Sequence, residues 1–490
     1  MLFTTIEFVI FFIAVCSVFV IIKNRKYQHL ILLLASYFFF YFTSNYLLLL
    51  LVFTTLLDFY MGKMIADSSN LKSKKIFLII SLAGNLGLLG FFKYADFGIS
   101  TFSTVMTSLG FPIQVSLLEL ALPIGISFYT FQTISYTVDI YRGQLTPCKS
   151  LREFAIFVSF FPQLVAGPIL RAKYFLPQLR EKLERLKSVD TIRQIRLQDS
   201  NVKFGVTLMA FGFFKKMFIA DNIAPLVDTI FTNPIGLESF TIILGTIAFG
   251  IQIYADFSGY SDIAIGAAII LGFKIPLNFN KPYFAISPSD FWRRWHISLS
   301  SWLRDYLYIP LGGNKKSINR TYLNLFVVMF LGGLWHGASW NFVVWGMLHG
   351  LYLASHKIIT NKIPYLKNHS FFRTKIGVLI SIIITQYFVF LAWIPFRVRD
   401  TNDMIYSVQK YIFLDFQTNE TLSLLLSEKI PVMTMIVFIV LHFISYKQGD
   451  LPRKISNYCT RYWVPILIIM MLTILFFYVG NAEDFIYFKF

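Results

Sequence analysis

Two histidines carry the chemistry available to this chain. His336 sits in Leu331-Gly-Gly-Leu-Trp-His-Gly-Ala-Ser-Trp340, inside a largely apolar run, and His296 closes Asp290-Phe-Trp-Arg-Arg-Trp-His296. An imidazole shielded from water can act as a general base on a hydroxyl or thiol nucleophile. An ionisable side chain at membrane depth is by default a functional candidate. The ordinary alternatives are a hydrogen-bonded histidine in a bundle core for His336 and an interfacial histidine for His296. Arg293, Arg294, Arg304, Lys315 and Lys316 cluster around the second motif. They would dock a large anionic cofactor whose reactive end reaches inward toward His336.

Other candidates are weaker. Asp256 and Asp262 lie within the apolar sequence Tyr254–Gly266. Six helical positions rotate by about 240°, so these carboxylates face different ways and form a poor catalytic dyad. Each is expected to pair with an arginine or to cap a broken helix. His349 and His356 share a helix face, but zinc and iron sites use three or four ligands, so both are read as structural and no metal is expected. No Walker loop, dinucleotide fingerprint or Gly-x-Ser-x-Gly elbow is present.

The elements that position the histidines are legible in outline. Ser287-Pro288-Ser289-Asp290 reads as a helix start, with Pro at the first helical position and a Ser-x-x-Asp capping box. On a continuous helix from Phe291 to Tyr306, the residues Phe291, Trp292, Trp295, Leu299, Trp302, Leu303 and Tyr306 share one side. Arg293, Arg294, Ser300, Ser301, Arg304 and Asp305 share the other, with His296 at the border. That pattern describes an interfacial amphipathic helix, ending at the turn Ile309-Pro310-Leu311-Gly312-Gly313. Around His336, Gly332, Gly333 and Gly337 are dense enough to weaken a helix, and backbone freed at membrane depth needs protein or a water-filled cavity beside it.

Composition excludes a soluble globular protein. Of 490 residues, 56% are hydrophobic and 18% aromatic. The net charge of +18 resides mainly in short segments between apolar runs. This is a positive-inside pattern, with anionic membrane lipids rather than nucleic acid as the partner. Cys16, Cys148 and Cys459 form no metal or redox spacing. Leu2–Ile22 precedes Lys23, Arg25 and Lys26, the reverse of a cleaved signal, so an uncleaved first helix with its N-terminus outside is expected.

His29–Tyr60 is too long for one span and should break at Ser44-Asn45. Ile76–Phe92 is a span, followed by weak signal. Leu117–Ile140 should be kinked at Pro123 and Gly125, and Phe154–Ile169 broken at its Pro and Gly residues. The polar stretch Arg171–Asn201 reads as a solvated helix or hairpin. Phe204–Ala220, Phe240–Phe273, Tyr322–Leu334, Phe342–Ile359, Phe372–Trp393, Pro431–Ser445 and Trp463–Val479 complete about 11–13 membrane-embedded helices in an all-α polytopic protein. Without internal repeats or linkers, residues 1–490 read as a single transmembrane domain. Broken helices with intramembrane Asp and His also suit a secondary transporter, and a scaffold is a third class. The arginine-rich helix between spans, which transport does not need, favours group transfer.

The sequence resembles the membrane-bound O-acyltransferase family, in particular its bacterial alginate O-acetylation branch. The resemblance rests on Ala121–Gly143, Phe161–Ile169, Asp256–Gly266, Ser287–Asn314 and Gly332–Gly346, which cover most of residues 121–350 in the family's order. It implies tilted helices and re-entrant segments around a central cavity, with His336 required for acyl transfer and His296 as the second catalytic histidine. Trp335, Tyr260, Arg293, Arg294 and Arg304 become candidate donor-binding or cavity-lining residues, and Asp256 and Asp262 structural ones. The resemblance further implies acetyl-CoA as a donor substrate, with no resident cofactor. Transfer would go to a periplasmic SGNH-type partner that acetylates a polysaccharide, from a multi-pass protein of the bacterial inner membrane. D-alanyl transfer to a cell-wall polymer is the neighbouring alternative.

Overall fold

The computed structural model describes all residues except 112, 114, 165, 166, 183–189, 364–368, 479–484 and 487–490. The chain forms two compact units: Met1–Val206 with Ala264–Pro276, and Thr207–Ile263 with Leu277–Phe490. Helices dominate both. Among the described residues, five helical segments are long and apolar enough to cross a membrane: Arg25–Asp67, Leu71–Ser108, Ser239–Ile270, Lys375–Arg397 and Lys429–Gln448. Ile6–Ile21 and Thr460–Phe476 are shorter apolar helices. The larger sequence count also drew on runs that become Ile126–Tyr141, Ile318–His336 and Trp340–Lys362, which are too short or too polar to join that group.

In the first unit, Arg25–Ser44 and Leu48–Asp67 are separated at Asn45, whose φ of 50° ends the first helix where the Ser44-Asn45 pair suggested. The helix beginning at Leu71 runs on to Ser108, through the stretch where sequence signal fades after Phe92. Its Asp96 accepts the backbone N–H groups of Leu118 and Glu119 at 2.7 and 3.0 Å, fixing the extended chain that follows. The Leu117–Ile140 span is correspondingly shorter than expected: the helix starts only at Ile126, after Gly125 in the left-handed region. A buried polar network ties these helices together. Asp58 accepts from Ser81 at 2.5 Å and Asn85 at 2.7 Å, and Asn85 accepts from Thr133 at 3.0 Å. Buried carboxylates persist only when so satisfied.

The polar stretch after Arg171 opens with short helical turns, Ala172–Phe175 and Leu176–Leu179, and then pairs two antiparallel strands, Arg180–Lys182 against Asp190–Ile192, in line with the hairpin alternative. It is anchored to the start of the Arg25–Ser44 helix: Gln28 exchanges two hydrogen bonds with Ile195, at 2.9 and 3.0 Å. Arg180 grips Glu153 through two bonds, at 2.9 and 3.1 Å.

The second unit begins at Thr207, within the expected Phe204–Ala220 span, which is α-helical to Phe213 and π-helical from Phe214 to Ala220 and runs directly into Asp221–Thr232. The hairpin of Ile318–His336 and Trp340–Lys362, the helix Lys375–Arg397 and the helix Lys429–Gln448 surround an aromatic core in which Trp295, Trp345 and Trp393 are fully buried. Trp393 lies 4.9 Å from Trp295 and 6.3 Å from Trp345, centroid to centroid.

Candidate active site

His336 is the last residue of its helix, and Gly337–Ser339 links it to the returning helix at Trp340. The two helices cross at a pair of glycines. A Cβ on Gly333 would lie 3.0 Å from the Gly346 Cα and would meet the Phe342 carbonyl as well. Only glycine admits two backbones this close. The expected loosening by Gly332 and Gly333 is thus corrected: both are helical, and at Gly333 the missing side chain sets the helix separation.

This crossing brings Trp345 edge-on to His336 at 4.9 Å. The link is pinned from the far side. Ser339 Oγ accepts from Asn341 N–H at 3.3 Å, and Asn341 Nδ2 donates to the carbonyls of Val398 at 2.7 Å and Arg399 at 3.0 Å. The same anchoring holds Phe396 at 5.3 Å from His336. With Trp335 at 5.0 Å, the imidazole has three aromatic walls and is only 4% exposed.

His296 is reached differently. The continuous amphipathic helix from Phe291 to Tyr306 does not form. It is broken into Pro288–Arg294, Ile297–Leu303 and a π-helical turn at Arg304–Tyr308. The first break is His296 itself, at φ 41° and ψ 54°. A left-handed non-glycine residue costs roughly 1–2 kcal/mol and needs compensation. Asn278 and Asn280 supply it. Ile297 N–H donates to the Asn278 carbonyl and Asn280 N–H to the Arg294 carbonyl, each at 2.9 Å. Ser298 Oγ donates to Asn278 Oδ1 at 2.6 Å, and Asn278 Nδ2 donates to Ser261 at 3.1 Å.

The reversal turns the His296 ring inward, so it is 0% exposed rather than at a face border. It packs 4.7 Å from Phe257, 6.0 Å from Trp335 and 6.5 Å from His336. His296 lies outside the candidate spans, and burial pushes its pKa down to about 3, which keeps the ring neutral near pH 7.

The structure therefore gathers His296, His336 and Trp335. Tyr260 stands one layer back, its ring tilted against Phe485 at 4.3 Å, and Phe485 lies 5.7 Å from Phe257. The arginines stay on the outward side of the broken segment. Arg293 is exposed, Arg294 pairs with Asp290 at 3.0 Å, and Arg304 pairs with Asp305 at 2.7 Å. Lys315 and Lys316 are exposed beyond the turn. His349 stacks on Phe291 at 5.9 Å and lies 4.8 Å from Trp345, behind the His336 wall.

Asp256 and Asp262 do face different ways, but their partners are lysines, not the arginine expected. Lys215 pairs with Asp262 at 2.5 Å, and Lys216 pairs with Asp256 and Asp221 at 2.7 Å each, fully enclosed. The second Asp256 oxygen accepts Ile486 N–H at 2.8 Å, so Phe485 and Ile486 join the wall behind Phe257. Sequence reasoning missed Asn278, Asn341, Lys216 and the Phe485–Ile486 contact. Only Lys215-Lys216, two charges inside an apolar run, left a readable signal.

This helical membrane architecture and enclosed histidine pair occur in a chain whose residues 148–394 match the MBOAT, membrane-bound O-acyltransferase family. The chain belongs to that family and is a multi-pass membrane acyltransferase. It is 40% identical over 404 residues to the probable alginate O-acetylase AlgI of Pseudomonas aeruginosa, covering 82% of this chain and 72% of the relative. It is also 37% identical over 356 residues to the peptidoglycan O-acetyltransferase of Helicobacter pylori, covering 68% and 64%. A more distant relative, the teichoic acid D-alanyltransferase of Streptococcus thermophilus, is 29% identical over 235 residues, covering 46% and 55%.

Proposed function

We propose that this protein takes acetyl groups from cytoplasmic acetyl-CoA and passes them across the inner membrane for O-acetylation of a cell-surface polysaccharide, through a periplasmic SGNH-type partner. The observation that carries the reading is the enclosed pair His296–His336, at 6.5 Å between ring centroids, in a chain similar to an alginate and a peptidoglycan O-acetylating enzyme.

In this reading His336 is the general base. It takes the proton of an acceptor hydroxyl as that oxygen attacks the acetyl carbonyl carbon. The carbon–sulfur bond of the thioester breaks, and the coenzyme A thiolate leaves and is protonated. The aromatic walls of Trp335, Trp345 and Phe396 exclude the water that would hydrolyse the thioester. His296, held neutral and fixed by its turn, orients the donor. The outward arginines Arg293, Arg294 and Arg304 meet the donor's phosphates.

The test is base-labile acetate in surface-polysaccharide and peptidoglycan fractions from cells carrying wild type, His336→Ala or a deletion, at matched membrane levels. Acetate falling in one fraction in both mutants supports the proposal and names the acceptor. Unchanged acetate in both fractions overturns it, and loss of ester-linked D-alanine instead would assign the D-alanyl reaction.

A further inference from the structure

A cavity of about 240 Å³ lies in the second unit, away from the histidine pair. Phe211, Phe214, Phe438, Leu441 and Met470 give it an apolar lining, to which Leu451 and Pro452 also belong. The chain around this last pair is basic. Lys447, Arg453 and Lys454 flank it in sequence and are exposed, against one acidic neighbour, Asp450, which caps the short helix there by accepting Arg453 N–H at 3.1 Å.

Two further features identify the occupant. Leu441 on the lining is 37% exposed, and Met471, beside it in sequence to Met470, is 62% exposed, so the cavity gives onto the lipid-facing surface. His442 Nε2 is buried at the lining with no hydrogen-bond partner among the described residues. Lys215 also lines the space, but Asp262 already neutralises it.

We propose that this cavity binds one anionic phospholipid of the leaflet beside this basic stretch. An acyl chain lies along Phe214, Phe438 and Met470, an ester oxygen meets His442 Nε2, and the phosphate meets Arg453 and Lys454. Basic pockets between membrane helices recognise headgroups in this way. Tyr254 lines the cavity on its inner side and packs 6.1 Å from Trp295, the residue before His296. The bound lipid therefore buttresses the wall behind the histidine turn and stabilises the fold from the bilayer side.

The experiment is thermal unfolding of the purified full-length protein in detergent, with phosphatidylglycerol, phosphatidylcholine or inorganic phosphate added, and native mass spectrometry of retained lipid. Phosphatidylglycerol should raise the midpoint by about 4 °C or more beyond phosphatidylcholine. Phosphate alone should do nothing, and phosphatidylglycerol should be the retained species. Ser445→Trp, which fills the cavity, should abolish the shift and the retention. Arg453→Glu/Lys454→Glu, at the surface, should abolish the preference for the anionic lipid whether or not the first variant folds. Equal shifts with both lipids, a shift with phosphate alone, or an unchanged preference in the surface variant would each overturn the proposal.

Discussion

Ser298 donates to the Asn278 side chain at 2.6 Å, and that bond closes the clamp that holds His296 in a left-handed turn facing His336. Removing the clamp should separate structure from chemistry in a measurable way. Asn278→Ala removes the buried bonds to Ser298 and Ser261 and should cost about 1–3 kcal/mol. Ser298→Ala removes one neutral bond and should cost less. The backbone adds a second check. His296→Gly should unfold at a higher temperature than His296→Ala, because alanine pays for the left-handed conformation and glycine does not. The reverse order would mean that the turn does not persist in the variants.

His336→Ala should lower acetyl transfer by about 10²-fold or more, the usual contribution of a positioned general base, with the protein still present in the membrane. The residue ends its helix and lies outside the glycine contact, so truncation leaves the Gly333–Gly346 crossing in place. Radiolabelled acetate incorporation at matched membrane abundance decides the matter. Retained transfer would remove His336 from the mechanism.

What could be read in advance follows from how local each cause is. The break at Ser44-Asn45 and the Pro-Gly turn after Ile309 are dictated by residues at those positions, and the structure has both. The aromatic side of Phe291–Trp302 was legible too, because burial of Phe291, Trp292, Trp295, Leu299 and Trp302 survives the break. The break itself was not. The φ of His296 is imposed by Asn278, a residue from a stretch without periodicity that meets the turn only in three dimensions. The lysine partners of Asp256 and Asp262 were hidden for a related reason. The π-helical stretch Phe214–Ala220 changes which residues share a face, and no helical wheel anticipates it. The glycines around His336 read in sequence as points of weakness, whereas Gly333 supplies close packing rather than flexibility.

Burial of His296 has a pH consequence. Its folded pKa of about 3 lies below the ordinary histidine value of 6.5, so the unfolded chain binds a proton that the folded one refuses. The stability this contributes is complete above about pH 6.5 and is lost as pH falls through that value toward 3. Between pH 6 and 4 the wild type should lose up to about 1.4 kcal/mol per pH unit more than His296→Gln, which has no proton to refuse. Parallel stability curves for the two proteins would show that the ring is protonated in the folded state.

The Gly333–Gly346 crossing makes a steric prediction. Gly346→Val places atoms against the Met329 carbonyl and 3.1 Å from the Gly333 Cα, in backbone that cannot give way like a side-chain tip. The helices must part, and Trp345 must then retreat from His336. Transfer should fall along with a stability loss of about 1–3 kcal/mol, as in other overpacked cores. The change should be visible as altered tryptophan fluorescence. A variant with normal fluorescence and normal transfer would mean that the hairpin tolerates a wider crossing.

The enclosed triad Lys216, Asp221 and Asp256 gives the sharpest contrast between two single changes. Lys216→Met leaves two buried carboxylates without their shared cation and should cost at least about 3–5 kcal/mol, with low membrane abundance. Asp256→Asn removes one charge yet leaves the Lys216–Asp221 pair intact and still offers an oxygen to Ile486 N–H, so its cost should be clearly smaller. Abundance and unfolding midpoint, measured side by side, test that order. Transfer per molecule adds a second axis, because Asp256 sits next to Phe257, on which His296 packs. If the triad is structural, Asp256→Asn loses abundance and transfer together and keeps its turnover per folded molecule. Normal abundance with lost turnover would place the Asp256 carboxylate in the acyl transfer itself.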